Sequence, residues 1–249
     1  MNLSAHITPV ILAGGLGTRL RSVVADRPKV LAEVAGRPFL AWLLNEMAHD
    51  GFRNVVLCTG YKAELIEAEF GSSYKNITLR YSHEATPLGT AGALRLATPL
   101  IETEHALAIN GDSYCGADTQ HCWAAHAQAG ASASMLLTHV GNAARYGRVE
   151  TNIEGWITSL AEKTGAEEPG LINAGKYFVR TDWLREIPSD RPISLEREIF
   201  PHWVARGFLG VKTDAPFVDI GTPASLVEGH HLFQKLGEDT ESTVARYGT

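Results

Sequence analysis

An α/β fold built on a doubly wound, mixed sheet is what this sequence predicts, and three observations predict it. Short apolar runs, among them Val10 to Ala13 and Ala106 to Ile109, read as strands covered on both faces. Stretches with apolar residues at helical spacing stand between them. Glycine-rich and charged pieces come directly after the apolar runs, at the strand ends where open α/β sheets bind their ligands.

The first run ends abruptly in GGLGTRL. Gly14, Gly15 and Gly17 remove side chains, so that backbone N–H groups can approach anionic oxygens. Arg19 and, farther on, Lys29 in RPK add positive charge. A dinucleotide fingerprint would need a third glycine where Leu20 stands, and a P-loop would place Lys and Ser or Thr directly after its last glycine. NAD-dependent dehydrogenases and P-loop ATPases are therefore disfavoured together. GGLG taken alone also reads as a bare strand-to-helix turn.

GGLGTRL with the downstream PK resembles the sugar-1-phosphate nucleotidyltransferases, also called sugar-nucleotide pyrophosphorylases. The resemblance implies a Rossmann-like, GT-A-like nucleotidyltransferase fold. It also implies that Leu12, Ala13, Gly14, Gly15, Gly17, Thr18, Arg19 and Lys29 hold an incoming nucleoside triphosphate.

In PFLAWLLNEMAHDGF, Leu40, Leu43, Leu44 and Met47 recur at helical spacing and Gly51 stops the helix. A strand in NVVLCTG, a helix over Ala63 to Phe70 and a strand in ITLRYSHE come next in order. In EATPLGTAGAL a turn around Gly89 opens a helix, and Thr90 or the backbone near Gly89 could cap it. PLGTAGAL resembles the nucleobase-binding segment of the same family, which points to Pro87, Leu88, Gly89 and Thr90. Glu84, five residues before Gly89, stands where many thymidylyl and uridylyl relatives carry Gln. An ionised carboxylate accepts hydrogen bonds and donates none. Guanine offers adjacent N1–H and N2–H donors to such a group, whereas uracil and thymine present one donor between two acceptors. GTP is the expected nucleotide, and UTP with a nearby acid is the alternative.

The strand in HALAINGDSY ends in Asn110, Gly111 and Asp112. A carboxylate there can simply cap a turn, but the family resemblance sets Gly111 and Asp112 against the nucleotide and makes Asp112 a ligand of Mg²⁺, a hard cation that takes carboxylate and phosphate oxygens. A helix from about Gln120 and the strand SASMLLTHV close this nucleotide-binding half, 9–140. From 141 to 236 short strand-like pieces, RVE, WITSL and LINAGKYFVR, suggest an antiparallel, sugar-binding portion packed on the sheet. There Tyr146 and Gly147 resemble the family's sugar-contacting loop, and Glu162 and Lys163 its Glu–Lys pair, with Lys163 on the sugar phosphate. Asn173 and Gly175 resemble the segment closing over the sugar, and Glu196 lies on a helix expected over Ser194 to Ala205. Asp219, at the end of FVD, is the expected second metal carboxylate; an N-cap is its other reading, although Thr222-Pro223 already makes a good cap and first helical residue. Residues 1–236 form one expected nucleotidyltransferase domain, and the polar 237–249 reads as a flexible tail.

The 249 residues are 45% hydrophobic and 20% charged, which is ordinary for a globular protein that can bury a core. A net charge of −6 without a basic stripe argues against nucleic acid as a partner. No apolar run approaches the roughly 20 residues that would span a bilayer, and MNLSAHITP lacks the pattern of a signal peptide. Three cysteines suggest no disulfide framework, and a cytoplasmic location is expected. Cys115, His121, Cys122 and His126 crowd together without a standard zinc spacing. His230 and His231 read as surface residues of a C-terminal helix. Whether the chain forms a homo-oligomer is left open.

The family resemblance implies an in-line transfer of a nucleotidyl group to a sugar 1-phosphate, with Arg19, Lys29 and Lys163 as the catalytic cations. RYGRVETNIEGWITSLAEK, PGLINAGKYFV and SLEREIF look most like the D-glycero-α-D-manno-heptose 1-phosphate guanylyltransferases of surface-polysaccharide synthesis. The mannose-1-phosphate guanylyltransferases share PLGTAGAL and are the rival reading. A regulatory subunit without activity would be expected to lack one of Arg19, Lys29, Asp112, Lys163 or Asp219.

Overall fold

The computed structural model describes residues 2–15, 17–20, 24, 26–161 and 167–247, the side chains of Thr18 and of 238–247 excepted. In chain order it runs β1 (Ile7–Leu12), β2 (Glu33–Val34), β3 (Arg37–Pro38), α1 (Phe39–His49), β4 (Asn54–Thr59), α2 (Ala63–Phe70), β5 (Ser73–Tyr74), β6 (Ile77–His83) and α3 (Gly89–Ala97). It continues with β7 (His105–Asn110), β8 (Ser113–Cys115), α4 (Thr119–Gln128), β9 (Ala133–Val140), β10 (Val149–Thr151), β11 (Ile157–Leu160), β12 (Gly170–Arg180) and α5 (Thr181–Arg185). A π-helical turn (Leu195–Ile199), α6 (Phe200–Arg206), β13 (Phe208–Thr213), β14 (Phe217–Asp219) and α7 (Pro223–Tyr247) complete it.

Eight strands form one sheet in the order β13-β9-β12-β7-β1-β4-β6-β5. The central strands β7, β1, β4 and β6 run parallel to one another, so their carboxyl ends share one edge. Apolar side chains alternate between the two faces, as a period of two requires. Ile11, Leu57, Ile109 and Phe178 join one core, beneath α1, α4 and α7; Val10, Val56, Ala108 and Tyr177 join the other, beneath α3, α5 and α6. Burial on both faces explains why these strands read as continuous apolar runs.

The antiparallel character expected of the second half is present, but it is built into the main sheet. Its long strands are not a separate antiparallel sheet: β12 inserts between β7 and β9, antiparallel to both, and β13 adds parallel to β9. The β10–β11 hairpin stands apart from the main sheet as an antiparallel pair. The helix expected over Ser194 to Ala205 is two pieces, the π turn and then α6, because Pro201 carries no N–H to continue the hydrogen-bond ladder. The expected tail is helical through Tyr247, as a continuation of α7. His230 is partly buried and accepts the Ala35 N–H at 3.0 Å, so it is more than a surface residue.

Candidate active site

The chain passes from β1 to β4 and β6 on one side of the sheet, then returns to β7 on the other side of β1. That reversal opens a crevice beyond the carboxyl ends of β1 and β7, the place where doubly wound sheets bind ligands. A cavity of about 290 Å³ occupies it, lined by Leu12, Gly15, Gly17, Arg19 and Lys29 from one side and by Asn110, Gly111 and Asp112 from the other. Thr90, Glu196, Val30 and Gly221 complete its wall.

Two further lobes open from this cavity. One, of about 380 Å³, shares Leu12, Gly15 and Thr90 with it and adds Gly14, Gly60, Tyr61, Glu84, Ala85, Pro87 and Gly89. The other, of about 540 Å³, shares Glu196 and adds Gly147, Arg148, Leu160, Ala161, Asn173, Arg197 and Phe200 among others. One cleft therefore joins the glycine loop, the segment after β6, and the β10–β11 hairpin.

In the central cavity, the Lys29 side chain is buried and its ammonium donates to Oδ2 of Asp112 at 2.6 Å. Asp219 lies beside Asp112: its strand β14 pairs with β8, which sets Asp219 opposite Ser113, and the Ile220 N–H donates to the Asp112 carbonyl at 2.9 Å. Asp219 Oδ1 accepts the Gly221 N–H at 2.6 Å and has the Arg145 guanidinium 3.6 Å away. Thr222, not Asp219, caps α7, by accepting the Ser225 N–H at 3.3 Å. Asp112 lines the central cavity and Asp219 is tied to it through the backbone; both offer hard carboxylate oxygens, the donor type suited to a divalent cation such as Mg²⁺ that completes its shell with phosphates. Among the described residues, no group of three or more His, Cys, Asp or Glu side chains is placed to hold a metal by itself.

Glu84 comes directly after β6 and is partly buried. Its Oε2 accepts the Leu88 N–H at 2.8 Å, and its Oε1 lies where a side chain on Gly14 would stand, 2.6 Å from an added Cβ. Burial raises its pKa above the ordinary carboxylate value, and the Leu88 amide offsets part of that rise. Gly89 has φ +73°, and a Cβ there would overlap the backbone carbonyl of Ile193. The turn into α3 is thus pressed against the segment that leads to the π turn.

Not every expected site residue faces the cleft. Ala13 is buried in the sheet core, its N–H donating to the Cys58 carbonyl at 2.8 Å. Leu88 is occupied by backbone bonds, to Glu84 through its N–H and to Ile193 through its carbonyl. Tyr146 packs edge-on against Phe217, with the Arg145 guanidinium over its ring, and burial raises its hydroxyl pKa. Gly175 is buried at the bulge of β12, with φ +79° and Ser113 and Asn110 where a side chain would be, so it fits strand packing instead of sugar contact. Glu162, Lys163 and the Thr18 side chain lie outside the described residues; Glu162 is the residue directly after Ala161, which lines the 540 Å³ lobe. Asn110, Gly60, Tyr61, Arg148 and Arg197 line the cleft without having been expected there. The strand-end rule applied to TGY after β4 would have found Gly60 and Tyr61.

The Nucleotidyl transferase family matches residues 8–235. A mannose-1-phosphate guanylyltransferase of Mycobacterium tuberculosis is 35% identical over 228 residues, 90% of this chain and 64% of that protein. A D-glycero-alpha-D-manno-heptose 1-phosphate guanylyltransferase of Aneurinibacillus thermoaerophilus is 35% identical over 215 residues, 86% of this chain and 93% of that protein. The crystal structure of HddC from Yersinia pseudotuberculosis complexed with GMP-PN superposes with a TM-score of 0.81 at 31% identity, covering 91% of this chain and 99% of that one.

Proposed function

The chain belongs to the nucleotidyl transferase family, and from that premise we propose that it is a sugar-1-phosphate guanylyltransferase, joining GTP to D-glycero-α-D-manno-heptose 1-phosphate with release of pyrophosphate. One observation carries the reading. A single cleft holds Glu84 at one end, Arg19 and Lys29 beside Asp112 in the middle, and Asn173 with Glu196 at the other. Base, triphosphate and sugar phosphate need that sequence of environments.

In this reading Glu84 accepts the N1–H and N2–H donors of guanine, and Pro87 and Gly89 flank the base. The backbone of Gly14, Gly15 and Gly17 with Arg19 and Lys29 holds the triphosphate. Asn173, Gly147, Glu196 and the Glu162–Lys163 pair receive the sugar phosphate, with Lys163 on its phosphate. A phosphate oxygen of the sugar 1-phosphate attacks the α-phosphorus of GTP, and the bond from that phosphorus to the oxygen bridging the β-phosphate breaks. The electron pair leaves with pyrophosphate. No side chain need remove a proton, because the attacking oxygen is already ionised. Arg19, Lys29 and Lys163 orient the two anions in line and neutralise the charge that develops. Asp112 and Asp219 are the residues that would hold Mg²⁺, which when bound supplies charge neutralisation at the phosphates.

Heptose is preferred over mannose because RYGRVETNIEGWITSLAEK, PGLINAGKYFV and SLEREIF look most like the heptose 1-phosphate enzymes. Equal identity to both, at 35%, keeps mannose 1-phosphate as the second reading. The three cysteines are free and buried, which supports placing the reaction in the cytoplasm.

The test is pyrophosphate release with Mg²⁺, crossing GTP, UTP, dTTP, CTP and ATP against heptose, mannose and glucose 1-phosphates. Release with GTP and heptose 1-phosphate is expected. GTP with mannose 1-phosphate alone would overturn the sugar assignment, and no release from any pair would overturn the activity.

A further inference from the structure

The hydroxyl of Thr90 stands where the base lobe meets the central cavity, yet its hydrogen bonds go to the other side of the cleft. Its oxygen accepts the Leu195 N–H at 2.8 Å, and its proton is donated to Oε2 of Glu196 at 3.1 Å. Ser194 Oγ donates to the same carboxylate oxygen at 2.8 Å. The backbone repeats the join on either side: the Ile193 N–H donates to the Leu88 carbonyl at 2.8 Å, and the Ala91 N–H to the Ile193 carbonyl at 3.0 Å. With Gly89 pressed on Ile193, the start of α3 and the π turn form one block, although Thr90 and Glu196 stand 106 positions apart in sequence.

Chemistry singles out the hydroxyl. Leu195 is fully buried, so its N–H has no water to turn to if that acceptor is lost. A hydroxyl can accept from the amide and donate to the carboxylate at once, whereas valine has the same shape and can do neither. Glu196 alone among the described residues lines both the central cavity and the 540 Å³ lobe. Its carboxylate stands where a sugar phosphate would pass from one to the other. π-helical turns of this kind recur at functional sites.

We propose that Thr90 is a positioning residue for the sugar substrate: it borders the nucleotide lobe but acts through Glu196, fixing that carboxylate at the boundary of the sugar lobe. The proposal rests on the guanylyltransferase reading. Its test compares wild type with Thr90→Val, Thr90→Ser, Glu196→Ala and the Thr90→Val/Glu196→Ala double variant, measuring KM for GTP and for heptose 1-phosphate separately. Thr90→Val raises the sugar-phosphate KM about tenfold, the size of one charge-assisted hydrogen bond, and leaves the GTP KM within about twofold. Thr90→Ser restores most of the loss, and Thr90→Val adds little once Glu196 is already alanine. A GTP KM that moves as much as the sugar KM, no rescue by serine, or fully additive effects would each overturn it. If wild type turns over no sugar phosphate, the functional reading fails by itself. Crystal structures of wild type and Thr90→Val then decide: a displaced Glu196 carboxylate supports the positioning role, and an unmoved one refutes it.

Discussion

Gly89→Ala tests whether the turn into α3 is as tightly joined to the Ile193 segment as the geometry requires. Two costs add. At φ +73° a non-glycine residue costs about 1–2 kcal/mol. The new Cβ would also overlap the Ile193 carbonyl, a backbone atom that can yield only by moving the segment. That shift weakens the Leu88–Ile193 and Ala91–Ile193 hydrogen bonds, each contributing about 1 kcal/mol. The sum is about 3–4 kcal/mol. At about 2–4 °C per kcal/mol for a chain of this size, Tm falls by about 10 °C. Gly130→Ala is the control, because Gly130 has φ +61° with open space where its Cβ would go, so only the conformational cost applies. Scanning calorimetry of both variants separates the terms. If Gly89→Ala melts no lower than Gly130→Ala, the backbone contact with Ile193 contributes nothing and the block argument fails.

Glu84→Gln narrows the preference for GTP over UTP and dTTP, read from kcat/KM for each; an unchanged ranking removes Glu84 from base recognition. The same variant carries a pH signature. The folded-state pKa of Glu84 is raised by burial, so wild type bears a penalty at pH values above that pKa and sheds it as pH falls through the raised pKa toward the ordinary carboxylate value. The stability advantage of the Glu84→Gln variant is accordingly largest at pH 8 and shrinks at pH 5, and thermal melts showing the reverse trend would refute the assignment. Asp112→Asn nearly abolishes turnover in Mg²⁺ while leaving Tm within a few degrees, since Asp112 is partly exposed; wild-type rates would overturn the metal role. Arg148→Ala removes a guanidinium held by Glu168 at 2.8 Å at the wall of the 540 Å³ lobe. With Glu168 mostly exposed, stability changes by less than about 1 kcal/mol. The sugar-phosphate KM rises several-fold at constant GTP KM, and equal movement of both would place Arg148 outside the sugar lobe.

The sheet was legible because its signals are local. Val10 and Ile11 must go to opposite faces, and both faces are buried, so the run reads as strand without knowledge of its neighbours. The helix boundaries at Ala63–Phe70 and the stop at Gly51 likewise come from spacing and a positive-φ position. The placement of β12 is not local information. Nothing within GLINAGKYFVR says that it pairs with β7 and β9, because that choice depends on strands formed much earlier in the chain.

The same division governs the site. Residues that reach the cleft through the strand they terminate, such as Leu12, Glu84, Gly111 and Asp112, are found by inspecting the end of each apolar run. Residues whose contacts depend on a distant segment cannot be placed by that rule. Gly175 sits in a sugar-like motif but is glycine because Ser113 and Asn110 leave no room. Tyr146 packs edge-on against Phe217. Thr90 could be placed at the opening of a helix, where its hydroxyl would be expected to cap that helix. The fold instead brings up Leu195 and Glu196, a buried amide and a carboxylate, to that oxygen, while the Ala91 N–H of the first turn is taken by the Ile193 carbonyl. The partner that wins is the one water cannot replace, and only the tertiary structure identifies it.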